Sequence, residues 1–134
     1  MQKKLRIRSD IENMRVVEKE LDGVSADLSI AEDNYGKIMV CAMEAVNNAI
    51  VHGNKRDAEK YVTIFIESIG EELKIIVEDQ GTGFKPAEIP DPTKPENIEA
   101  ISGRGVFLMS KLADKIEFNE KGNIVTMYFK DIRT

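Results

Sequence analysis

The chain has 134 residues, a formal charge of -5, 42% apolar residues and 32% charged ones, a length and balance that suit one soluble domain burying about two thirds of its unfolded surface. No apolar run approaches the roughly 18 residues of a membrane span, and the interspersed charges lack the clustered Lys and Arg that nucleic acid requires. Cys41 is the only cysteine, which excludes an intrachain disulfide and a thiolate metal cluster.

The N-terminus MQKKLRIRSD lacks the apolar core of a secretion signal, so the expectation is a cytoplasmic protein, a single domain over 1–134, that starts directly with structure. Residues 3 to 8 alternate enough for a first strand at a sheet edge. Ser9 stands three residues before Glu12, the spacing of a capping box, which predicts a helix from Asp10 or Ile11 to about Leu21, ended by Asp22-Gly23. A second such pair, Ser29 and Glu32, opens a long helix that closes near His52 with Gly53 as its C-terminal cap. Tyr61 to Ile69 and Glu72 to Asp79 are Val- and Ile-rich and turn around Gly70-Glu71, the pattern of an antiparallel hairpin.

All four prolines, Pro86, Pro90, Pro92 and Pro95, then fall between Phe84 and Ile101. That stretch has no apolar period and is expected to be a long functional loop, a lid over about 84–102. Helical spacing resumes from Gly105 to Ala113, with Gly103-Arg104-Gly105 at the helix start. A last hairpin pairs Lys115 to Asn119 with Asn123 to Lys130, and a short polar tail follows. This order predicts an α+β fold, a two-layer sandwich with helices on one face of a mixed, mostly antiparallel sheet.

The stretch from Met39 to Asn54 organises the rest. Met39, Ala42, Met43, Val46, Ala49 and Ile50 recur at helical steps, yet Glu44, Asn47 and Asn48 occupy the same turns. Glu44 and Asn48 lie about 40° apart and one turn apart on the helix, so a carboxylate and an amide point together. Two readings are open, a solvated helix face or a metal and acid-base site. Asn47 points away from Asn48 and either packs, caps or assists. Cys41 on such a helix reads as a small buried hydrophobe.

Glu44-x-x-x-Asn48, Asp79-x-Gly81-x-Gly83 and Gly103-x-Gly105, in that order, resemble the N, G1 and G2 boxes of the GHKL ATPase superfamily of gyrase, the ninety-kilodalton heat-shock chaperone, histidine kinases and MutL. The closer resemblance is to the bacterial anti-sigma-factor serine/threonine kinases, small domains carrying EAVxNAxxHG, DxGxGF and GxGxxL. Here these stretches read EAVNNAIVHG from Glu44, DQGTGF from Asp79 and GRGVFL from Gly103. The resemblance covers nearly the whole chain and implies a Bergerat-type ATP-binding fold.

It also implies ATP and Mg²⁺ as cofactors. By resemblance Glu44 is the general base, Asn48 the metal ligand, Asp79 the reader of the adenine amine, and Gly81 and Gly83 the residues that let the backbone approach the purine. Gly103 and Gly105 would deliver helix N-terminal amides to the phosphates, with Arg104 either a charge partner or solvent-facing. Thr126 matches a polar residue that supports the adenine pocket in relatives. His52 matches the HG that ends the N-box helix, near the phosphate network, and is not read as a phosphohistidine. The implied partners are a sigma factor, which the protein would sequester, and an anti-anti-sigma protein, which it would phosphorylate; a homodimer is implied as well. The alternatives are a nucleotide-gated anti-sigma or adaptor protein without phosphotransfer and a detached histidine-kinase catalytic domain.

Overall fold

The computed structural model of the chain describes residues 1–81 and 101–134. Five strands, β1 (Gln2–Arg8), β2 (Tyr61–Ile69), β3 (Glu72–Glu78), β4 (Lys115–Phe118) and β5 (Ile124–Phe129), form one sheet in the order β1-β2-β3-β5-β4. Every neighbouring pair is antiparallel, so the mostly antiparallel sheet expected is wholly so among the described residues. β1 does lie at an edge. The hairpin turns rest on Gly70 at φ 60° and Gly122 at φ 81°, backbone that a side chain would strain.

Register decides which face is core. Ile64 pairs with Val77, and Ile75 pairs with both Ile66 and Met127, so their buried side chains stack in rows across three strands. Three helices, α1 (Met14–Leu28), α2 (Glu32–Asn48) and α3 (Ile101–Leu112), contribute to the same core. They do so through Val17, Leu21 and Val24 of α1, Ile38, Ala42 and Val46 of α2, and Met109 of α3. Ile75 is fully buried, and cutting it to Ala would cost about 2–5 kcal/mol. The two-layer α+β sandwich stands as expected.

The helix boundaries differ from expectation for local reasons. Asp10 caps the first turn, its carboxylate accepting from the Glu12 N–H at 3.0 Å, ahead of a 3-10 turn at Ile11–Asn13 that leads into α1. Ser9 is buried and bonded elsewhere, so there is no Ser9–Glu12 capping box. Asp22-Gly23 does not end α1. Val24 extends the buried stripe of Val17 and Leu21, and burying it outweighs the roughly 1 kcal/mol that a mid-helix glycine costs. The helix ends at Ser29, which takes a left-handed φ of 54° as its C-cap. Ser29 therefore closes one helix rather than opening the next, and α2 begins after Ala31 without a side-chain cap.

The end of α2 positions the site. Its α-helical hydrogen bonding stops at Asn48, and a π-helical turn, Ala49–Gly53, carries the chain on. The Asn54 N–H closes that turn on the Ala49 carbonyl, five residues back, at 2.8 Å. The expected closing point near His52 holds, but the turn is π-helical, a form enriched at functional sites, and the C-cap is Asn54 rather than Gly53. The lid expected over about 84–102 falls outside the described residues except for its last two positions, which already belong to α3.

Candidate active site

Glu44 and Asn48 share the inner end of α2, both half-buried. The first part of α3 comes down on them at Gly105, itself buried. A Cβ on Gly105 would lie 2.6 Å from Asn48 Nδ2, 3.2 Å from Glu44 Oε2 and 3.3 Å from Asn48 Oδ1. The N box and the G2 box are thus in contact, and only a glycine fits at their junction. Because α3 starts at Ile101, four residues ahead of the expected start, Gly105 is an interior helix residue. It contributes space, while the helix start lies toward Gly103 and Arg104.

Asn48 Oδ1 is buried and has no hydrogen-bond partner among the described residues. An acceptor left in that state costs about 1–3 kcal/mol, which a cation arriving with a ligand would offset. A neutral oxygen donor is also the kind of ligand Mg²⁺ takes, so the residues present fit the metal implied by the sequence. Cys41, one turn ahead of Glu44, is fully buried. Burial foremost, and then the charge of Glu44, push its thiol up to about 12. It packs, as expected, and is no nucleophile.

Asp79 follows the last residue of β3 and keeps the inward parity of Leu73, Ile75 and Val77. It is only 9% exposed. The Gly81 N–H donates to its Oδ1 at 2.8 Å. Its main chain is clamped to Asn123, with Asp79 N–H to the Asn123 carbonyl at 2.9 Å and Asn123 Nδ2 to the Asp79 carbonyl at 3.1 Å. Desolvation is the largest influence on the carboxyl and raises its pKa; the Gly81 N–H, Lys121 and Lys60 pull it back down, and Glu78 adds to the rise.

The carboxylate fills the place where Gly53 would carry a side chain: a Cβ there would lie 2.8 Å from Asp79 Oδ1 and closer still to its Cγ and Oδ2. Gly81 is held in the same way, since its Cβ would collide with the Gly53 carbonyl. The G1 box thus meets the end of the N-box helix through two glycines and one carboxylate. Close approach within the protein therefore already requires Gly81, whatever it also allows a base to do.

Sequence reasoning missed the residue that ties this corner together. Asn54 is 0% exposed. Its Oδ1 accepts from the Gln80 N–H at 2.7 Å, and its Nδ2 donates to Ser9 Oγ at 2.6 Å and to the Tyr61 carbonyl at 2.9 Å. Ser9 Oγ donates on to the Lys60 carbonyl at 3.0 Å, and Gln80 Oε1 accepts from the Tyr61 N–H at 2.6 Å. The signal in the sequence was a polar residue directly after the glycine that ends an apolar helix.

The remaining expected residues separate. His52 lies in the π turn and is exposed. Gly103 and Arg104 fall in the first turn of α3, and Gly83 lies outside the described residues. Thr126 does not belong here. It pairs with Ile76 and Glu117 between the buried Val125 and Met127, so strand alternation turns it to the face of the sheet opposite Asp79 and the helices.

The family described as the histidine kinase-like ATPase domain matches residues 7–129. The chain is 26% identical over 131 residues to the serine-protein kinase RsbW of Staphylococcus aureus strain JH9, and equally to that of strain Newman, covering 92% of this chain and 82% of the relative. A crystal structure of the RsbU and RsbW domains of Rv1364c from Mycobacterium tuberculosis resembles it with a TM-score of 0.63 at 14% identity, over 96% of this chain and 31% of that one. That last likeness is one of fold. No helix among the described residues is long and apolar enough to cross a membrane. The superfamily read from the three boxes, and the likeness to the anti-sigma serine kinases within it, both hold: the chain belongs to the histidine kinase-like ATPase domain family.

Proposed function

We propose that the chain is an ATP-dependent anti-sigma factor and protein serine/threonine kinase, which sequesters a sigma factor and phosphorylates an anti-anti-sigma protein. The observation that carries this reading is the meeting of Glu44, Asn48 and Gly105, which sets a carboxylate and an orphan oxygen against the helix expected to face phosphates. Similarity to proteins named serine-protein kinase supports the reaction class. A protein that only bound nucleotide would need Asn48 and Asp79 but no carboxylate at position 44.

Bound Mg-ATP would supply the transferable phosphoryl group and the cation that neutralises it. Asp79 accepts the hydrogen bond of the adenine amine. Asn48 Oδ1 offers the metal an oxygen. Glu44 takes the proton of the attacking hydroxyl, a role that contributes about 10² to 10⁴ in rate. The start of α3 at Gly103 would offer amides to phosphate oxygens, Arg104 and Gly83 keep the phosphate and purine roles that the family resemblance implies for them, and His52 would border the phosphate side. The working unit is a homodimer in the cytoplasm.

The test is incubation with γ-labelled ATP and candidate antagonist proteins, followed by acid. Label that survives acid on a serine or threonine of the partner supports the kinase. Acid-labile label would point to a histidine-kinase type of domain, and ATP binding with no transfer to a nucleotide-gated adaptor.

A further inference from the structure

Asn54 takes no part in the chemistry above, yet every polar atom it has is engaged. Besides the three side-chain bonds, its N–H donates to the Ala49 carbonyl at 2.8 Å and its carbonyl accepts from the Asp57 N–H at 3.0 Å. Its side chain joins the segment after β1, the first residue of β2 and the residue after Asp79. A fully satisfied buried amide is often only a structural rivet. Here it grips Asp79 from two sides along the chain. Its predecessor, Gly53, supplies the hollow that the Asp79 carboxylate fills, and the N–H it accepts belongs to Gln80, the successor of Asp79. Moving Asn54 moves both the wall behind the carboxylate and the backbone that carries it.

We infer that Asn54 is a positioning residue for base recognition, which holds the Asp79 carboxylate where it accepts from the amine of adenine and repels the carbonyl oxygen that guanine presents there. This rests on the reading of Asp79 as the adenine acceptor. Selectivity of that kind depends on placement, because a carboxylate that drifts loses the bond to one base and the repulsion of the other together.

The experiment compares Kd for Mg-ATP and Mg-GTP by calorimetry in the full wild-type chain, Asp79→Asn, Asn54→Ala and Ser9→Ala, with melting temperatures alongside. Wild type should prefer ATP, and Asp79→Asn should lose the preference. Asn54→Ala should reduce the ATP-to-GTP preference by about tenfold. Ser9→Ala removes one acceptor of the Asn54 amide and should reduce the preference about threefold. A rivet without a positioning role would lower the melting temperature and leave the ratio alone. A folded Asn54→Ala with the wild-type ratio overturns the inference; if that variant does not fold, Ser9→Ala with the wild-type ratio does so. A wild type indifferent to the base, or an Asp79→Asn that still prefers ATP, overturns the Asp79 reading and the inference with it. That result is distinct from one in which only the Asn54 and Ser9 variants keep their preference.

Discussion

Gly105 and Asn48 meet across α3 and α2 with no room for a methyl group, since a Cβ on Gly105 would stand 2.6 Å from Asn48 Nδ2. Gly105→Ala must displace Asn48 or lift α3, and either should cost about 1–3 kcal/mol of stability and weaken Mg-ATP binding with it. Gly23 is the contrast, a mid-helix glycine whose Cβ, if it had one, would meet nothing within 4 Å. Gly23→Ala should stabilise by about 0.5–1 kcal/mol and leave nucleotide affinity alone. Urea unfolding and calorimetry on the pair separate space at the site from helix propensity.

Asp79 gives a pH signature. Burial, its largest influence, raises the carboxyl above its usual 3.8. Between the unfolded and the folded pKa the folded state binds more protons, so stability falls as pH rises through that window and is level above it. Asp79→Asn removes this cost. The variant should gain on the wild type above the window, and the difference should close below it, as melting scans across pH would reveal. Its ATP affinity should nevertheless drop about 10- to 150-fold, the value of a hydrogen bond to a charged group. Wild-type ATP binding should weaken on acidification with a step that Asp79→Asn lacks.

Glu44→Gln keeps shape and loses basicity. It should bind Mg-ATP as the wild type does and phosphorylate the partner at least about 100-fold more slowly. Transfer at the wild-type rate would assign the proton to another group.

Mg-ATP at about 100 times its Kd should raise stability by about 2.7 kcal/mol. Asn48→Asp puts a second negative charge one turn from Glu44 and should lose most of that gain. A melting temperature indifferent to Mg-ATP in the wild type would contradict the nucleotide site as a whole.

On α1, Val17 and Leu21 are buried while Arg15, Glu18 and Asp22 stay exposed, so one stripe packs and the charged one is available to a partner. Arg15→Glu should weaken sigma-factor capture without changing ATP affinity. Light scattering should return twice the chain mass of 15.1 kDa; a monomer that captures sigma and phosphorylates its partner would remove the dimer from the mechanism.

What the sequence revealed was short-range. Gly70 and Gly122 marked their turns, and helical spacing alone aligned Glu44 with Asn48. Thr126 was misplaced although Val125, Met127 and Phe129 already fixed its parity, because a match of residue type was followed instead of the period-2 rule. Asp22-Gly23 misled because burial of Val24, a tertiary effect, outweighed local propensity. Asn54 carried a local sign only of being unusual, a polar residue after the helix-ending glycine: its partners Ser9 and Gln80 stand 45 and 26 residues away, and nothing in the neighbouring residues encodes where such partners will be.

The π turn at Ala49–Gly53 makes the alignment of the two box regions a matter of phase. Removing the one extra residue that the turn accommodates would restore regular α-helical bonding without touching a strand. It would also put each residue beyond the deletion one place out of step with the wild-type sequence, so that Gly53 would no longer lie under the Asp79 carboxylate. One turn thus couples the spacing of Glu44 and Asn48 to the seat of Asp79, and a change of length there would be felt at both ends.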